Sequence, residues 1–97
     1  MVSMKKTLEK EFKELRGFVD NLLAVKDDKI GRVRIQRHRY SDQDLFVLSN
    51  TQTEKSYLLS TTNDGKKVKS FYRMRTGEPI KESEFREMLQ AACATHK

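Results

Sequence analysis

The sequence predicts an α+β fold: a four-stranded antiparallel meander sheet with an N-terminal and a C-terminal helix, in the order α-β-β-β-β-α. Three observations predict it. Apolar residues recur at helical steps near both ends of the chain. Between them lie four short runs rich in β-branched, aromatic and leucine residues. The connections between those runs are only a few residues long, so neighbouring strands must be antiparallel and adjacent. With 97 residues the chain is expected to form a single domain, residues 1–97.

The first helix is expected over residues 4–26. Leu8, Phe12, Leu15, Val19 and Leu22 recur at four- and three-residue steps, and Phe18 and Leu23 widen the stripe. Lys6, Glu9, Lys10, Lys13 and Glu14 occupy the opposite face. Gly17 interrupts the pattern, which predicts a kink or a close approach there. "KDDKIG" (26–31) ends this helix.

The first strand is expected over Arg32–Tyr40 and the second over Leu45–Ser49, with "SDQD" (41–44) as the turn between them. "NTQTE" (50–54) leads to a third strand, Lys55–Thr61. "NDG" (63–65) is the strongest hairpin signal, because these residues tolerate positive φ, and Val68–Arg75 follows as the fourth strand. "TGEPI" (76–80) stops it. The second helix is expected at about residues 81–94, with Phe85, Met88, Leu89, Ala92 and Cys93 on its apolar side. Glu82, Glu84 and Glu87 sit in its first turns, where the helix dipole favours them.

The net charge of +6 is unevenly placed. Residues 32–76 hold ten lysines and arginines against four acids, while the segments on either side are close to neutral. Such a concentration attracts polyanions. Strand alternation places Lys67, Lys69, Phe71, Arg73 and Arg75 on one face of the fourth strand, and Val68, Ser70, Tyr72 and Met74 on the other. In the first strand Val33 and Ile35 point one way, and Arg32, Arg34, Gln36, His38 and Tyr40 the other. Arg37 and Arg39 then fall on the apolar side. Either the strand outruns the core after Gln36, or a bulge shifts its phase. "LFVL" (45–48) is apolar on both faces. One helix on each face of the sheet would cover both, and the sequence leaves open which face each helix takes. If both helices covered the same face, Phe46 or Val47 would be left exposed and would invite a dimer.

The candidate nucleic-acid-binding residues are therefore Arg32, Arg34, Arg37, His38, Arg39, Tyr40, Lys67, Lys69, Phe71, Arg73 and Arg75. The cations would meet phosphates, and Phe71 and Tyr40 would stack on bases. The competing reading is that the first and fourth strands are sheet edges, whose basic residues merely block edge-to-edge pairing.

No catalytic signature is present. Phosphate-binding glycine loops, a nucleophile elbow and cysteine spacings for zinc are all absent. Cys93, the lone cysteine, is expected as a small buried core residue. Asp42 and Asp44 are expected to serve turn chemistry rather than to bind calcium. Neither a cofactor nor a metal is implied. The N-terminal "MVSMKKTLEKEF" lacks the apolar stretch of a signal peptide, and no run approaches the roughly 20 apolar residues of a membrane span. A cytoplasmic location is expected, consistent with a single cysteine.

Four antiparallel strands followed by a helix, with a basic sheet, resembles the single-stranded-DNA-binding transcriptional coactivator family over about residues 30–92. The local echo is "GEPIKESEFREML" (77–89). The leading helix departs from that family's plan, and no residue role is carried over.

The expected function is that of a small, non-catalytic nucleic-acid-binding or regulatory protein, with DNA or RNA as the partner. The alternative is a protein-interaction module: a homodimer, or a small inhibitor that docks a larger partner through the sheet or the first helix. A partner with an acidic surface would meet the same basic face. Small basic α+β proteins of this kind are common in phages and mobile elements.

Overall fold

A computed structural model of the chain describes residues 12–26 and 28–93. The expected helical residues 4–11 and 94 lie outside that range, as does His96. Among the described residues the fold is α+β, with one antiparallel sheet and two helices, but the sheet has five strands rather than four.

Helix α1 is Leu15–Ala24. Leu15, Phe18, Val19 and Leu22 make its buried stripe, at the three- and four-residue steps that the sequence repeats. Val25 leaves the helix with extended backbone and ends it. Gly17 is exposed with open space around it, so no close approach requires a glycine there.

The extra strand is β1, Lys29–Ile30, hidden in a segment that reads only as a helix terminator. It pairs with β2, Val33–Arg39, across the two-residue turn Gly31–Arg32. Gly31 has φ +58°, as the first central residue of such a hairpin turn often requires. This turn docks on the C-terminal end of helix α2 (Glu82–Cys93), where the Arg32 N–H donates to the Ala91 carbonyl at 2.8 Å. A carbonyl left orphaned by the end of a helix is satisfied in this way.

Strands β3 (Asp44–Asn50) and β4 (Lys55–Thr61) continue the meander, and β5 (Val68–Arg73) completes it. The β2–β3 ladder runs unbroken from Val33 opposite Asn50 to Arg39 opposite Asp44. No bulge shifts β2; it outruns the core instead. The bulge lies in β5. Ser70 pairs with Ser60 but Val68 pairs with Thr61, so Lys69 is an extra residue. "TGEPI" does more than stop β5. Its Glu78–Ile80 segment turns back along the outer edge of that strand, with the Arg73 N–H on the Glu78 carbonyl at 2.7 Å and the Ile80 N–H on the Phe71 carbonyl at 3.0 Å. That edge is therefore closed to further pairing.

Both helices lie on the same face of the sheet. Leu15, Phe18 and Val19 of α1 and Phe85, Met88 and Ala91 of α2 share one buried cluster with the sheet. The strand residues in that cluster, including Ile35, Phe46, Leu48, Tyr57, Leu59 and Phe71, all fall on one face by register. Phe85 is its centre, stacked on Phe12 at 4.9 Å and edge-on to Phe18 and Phe71. At the other end of α2, Cys93 is exposed rather than buried. The helix ends there, and its buried stripe runs through Ala91 instead.

Glu54 closes the β3–β4 turn with φ +61°, a conformation that costs a non-glycine residue about 1–2 kcal/mol. Its N–H donates to the Asn50 carbonyl at 2.7 Å, so the backbone geometry is fixed by pairing. Glu54→Gly is expected to stabilise the fold by about 0.5 kcal/mol, because relief of the strain is partly offset by the extra freedom of the unfolded glycine. Urea denaturation would show a higher midpoint with an unchanged slope. A lower midpoint would mean that the glutamate side chain contributes more than its backbone costs.

Candidate functional site

Strand alternation and the observed register divide the candidate residues between two environments. Arg37, Arg39, Phe71 and Arg73 lie on the helix-covered side. Phe71 is 1% exposed and packs edge-on against Tyr57 and Phe85. It cannot stack on a base while the domain is folded. The sequence places it on a basic face because Lys69, Phe71 and Arg73 alternate. The bulge at Lys69 changes the phase, so that Val68 and Phe71 both reach the core.

Arg37 and Arg39 sit where β2 outruns the core, and both turn to Asp44. This residue is not a turn aspartate. It is the first residue of β3 and is fully buried. Arg37 reaches it from Nη2 at 2.6 Å and Nε at 3.2 Å, while its guanidinium lies 5.3 Å from the centre of the Phe46 ring. Arg39 Nε donates from 3.3 Å and Asn63 Nδ2 from 2.8 Å. Burial works to raise the Asp44 carboxyl pKa, but the hydrogen bonds from Arg37 and Asn63 and the two guanidinium charges outweigh it and hold it below the ordinary value. The two arginines are thus partly committed to a buried anion.

Arg73 is committed as well. Its Nη1 pairs with the buried Glu84 carboxylate at 3.2 Å. Glu84 also accepts the Lys81 N–H at 3.1 Å at the start of α2, and the Tyr57 hydroxyl lies 3.5 Å away. Burial, and then the neighbouring Glu84 charge, push the Tyr57 hydroxyl up to about 12.

The other face of the sheet carries no helix among the described residues. Three cross-strand rows cover it. The central row is Gln36, Val47, Leu58 and Tyr72, each opposite the next. On one side of it run Lys29, Arg34, Ser49 and Ser56. On the other run His38, Leu45, Ser60 and Ser70. Val47 is therefore left on an uncovered face, the outcome that two helices on one side entail. Tyr72 is 41% exposed, and Met74 beyond it 47%.

Charge is sorted across the sheet. The uncovered face carries Lys29, Arg34 and His38, and none of the described strand residues on it is a carboxylate. The described acids lie on or beside the helices, in the turns and connections, or at Asp44 on the covered side. Lys29 and Arg34 stand directly opposite each other in the β1–β2 ladder, two like charges side by side.

The remaining candidates are exposed but dispersed. Arg32 lies in the β1–β2 turn, Lys67 in the loop before β5, Lys69 at the bulge and Arg75 in the turn after β5. Tyr40 is 53% exposed at the end of β2, its backbone fixed by Gln43 and Asn63. Sequence reasoning missed Lys29 and Tyr72 as surface residues of the site. A usable signal was present: Ser49, Ser56, Ser60 and Ser70 all alternate onto this face, and four serines mark a face that no described helix covers.

Among the described residues, no group of three or more histidine, cysteine, aspartate or glutamate side chains is placed to hold a metal ion. No helix among them is long and apolar enough to cross a membrane. Protein-family models, curated proteins and solved structures give no match to the chain. The architectural resemblance to the single-stranded-DNA-binding coactivators thus carries no argument about function.

Proposed function

We propose that the protein is a non-catalytic nucleic-acid-binding protein that uses the uncovered face of its sheet. The observation that supports this reading is the sorting of charge. Lys29, Arg34 and His38 share a face with the exposed Tyr72 ring and buried or partly buried serines, and with no described carboxylate. A like-charged pair such as Lys29 and Arg34 is unfavourable in isolation, and a bound phosphate relieves it. The binding set is narrower than the sequence implies. Lys29, Arg34, His38 and Tyr72 belong to it, while Phe71, Arg37, Arg39 and Arg73 support the framework.

Fluorescence anisotropy with labelled oligonucleotides at several salt concentrations tests the proposal. Affinity should fall steeply with salt, by roughly 0.7–0.9 in log–log slope for each phosphate neutralised. Lys29→Ala and Arg34→Ala should each reduce the slope by about one such unit. Arg73→Ala should lower stability and leave the slope unchanged, because its charge faces Glu84. Absence of binding at low salt would refute the proposal.

One observation favours a second reading, a protein partner or a second copy of the chain on the same face. Val47 and Leu58 are half-exposed at its centre, with Tyr72 and Met74 beside them. A dimeric mass by light scattering, abolished by Val47→Lys, would support that reading.

A further inference from the structure

We infer that the nucleic acid bound on this face is single-stranded and lies across the strands, along the row Gln36–Val47–Leu58–Tyr72. The inference rests on the nucleic-acid reading above and adds the substrate class and its path.

The distribution of charge along that row points to a single strand. Cations stand at its β1–β2 end and not at its middle. Lys29 and Arg34 line that end. Beyond them Val47 and Leu58 form a neutral, apolar centre flanked by serines. From β2 to β5 the face is about 14 Å wide, three strand spacings. A duplex carries its phosphates outside and its base faces inside. Laid on this surface, it would bring phosphates onto Val47 and Leu58 and hide the bases that an apolar face could bind. Reading a duplex through its groove needs a protruding helix or ribbon. The described helices are turned to the other side of the sheet.

A single strand fits the same pattern. Its unstacked bases have apolar faces that lie on Val47 and Leu58 and stack on the Tyr72 ring. Its phosphates meet Lys29 and Arg34 at the β1–β2 end of the face. The serine hydroxyls beside the row offer hydrogen bonds to base edges. Ser49 and Ser56 lie 3.0 Å apart, oxygen to oxygen, and either can donate. Tyr72 is suited to stacking because Phe71, its neighbour in sequence, holds the strand down from the other side.

The test compares a single strand of about 12 nucleotides with the duplex of the same length, at one salt concentration. The single strand should bind at least about tenfold more tightly. Tyr72→Ala should weaken single-strand binding by roughly tenfold to a hundredfold while leaving the salt slope unchanged, because stacking releases no counterions. Tyr72→Phe should bind as the parent does. The chain contains no tryptophan, so Tyr72→Trp provides a second readout: its emission should be quenched by the single strand and unaffected by the duplex. Equal or tighter duplex binding, or full affinity in Tyr72→Ala, would overturn the inference and leave nucleic-acid binding standing. Binding to neither form would overturn both.

Discussion

Gly31→Ala is expected to destabilise the fold by about 2–5 kcal/mol, more than the same change at Gly77. Two costs coincide at this position. The backbone holds φ +58°, which costs an L-residue about 1–2 kcal/mol. A Cβ there would also collide with the carbonyl oxygens of Ala91 and Ala92 and lie 2.7 Å from the Ala92 carbonyl carbon. These are backbone atoms at a helix end, already fixed by the Arg32 N–H, and cannot swing aside as a side chain would. Forced overpacking of this kind adds roughly 1–3 kcal/mol. Gly77 is the control. It has φ +72°, but a methyl group added there would meet nothing within 4 Å, so Gly77→Ala bears only the backbone cost. Urea denaturation of the two variants separates the terms. Equal losses would mean that the β1–β2 hairpin does not dock closely on α2.

Asp44→Ala is expected to cost about 2–3 kcal/mol. Removing one partner of a fully buried ion pair costs roughly 3–5 kcal/mol. Here the carboxylate is buried, but the arginine ends are partly exposed, at 33% for Arg37 and 61% for Arg39, and can recover water. The lower figure follows. The same group sets a pH dependence. The Asp44 carboxyl titrates lower in the folded chain than its ordinary value, so its stabilisation is complete above the unfolded value of about 3.9. It is lost as pH falls through the folded value. Asp44→Asn should flatten this acid limb in stability-against-pH measurements. An unchanged limb would assign it to another carboxyl held below its ordinary value, Glu14 or Asp64.

The parts of the fold that were legible in the sequence are those where local pattern and tertiary packing agree. Leu15, Phe18, Val19 and Leu22 repeat at helical spacing and are buried by it. The turn residues at 50–54 and 63–65 separate strands that do pair in chain order. β1 was illegible because two residues cannot display a period. Its only trace is Gly31, whose need for glycine comes from the far end of the chain. The phase of β5 was illegible for a related reason. Lys69 is a bulge residue, and nothing in "VKSFYR" distinguishes an inserted residue from an alternating one.

The candidate site was legible as a charge excess but not as a face. Arg37, Arg39 and Arg73 carry the same formal charge as Arg34, and only the positions of Asp44 and Glu84 distinguish them. Asp44 is five and seven residues from its arginines and Glu84 is eleven from Arg73, and the pairing depends on which side of the sheet each occupies. Cys93 shows the same limit. Helical spacing puts it on the apolar side of α2, but it is the last residue of that helix and is exposed.

The central claim is that the uncovered sheet face binds nucleic acid while the helix-covered face does not. Methyl NMR spectra recorded during titration with a single-stranded oligonucleotide test it most directly, because leucine and valine methyls report the two faces separately. The methyl signals of Leu45, Val47 and Leu58 should shift with oligonucleotide, while those of Val33, Leu48 and Leu59 on the covered side should stay in place. Shifts confined to Val33, Leu48, Leu59 or the helices, with Leu45, Val47 and Leu58 unmoved, would contradict it.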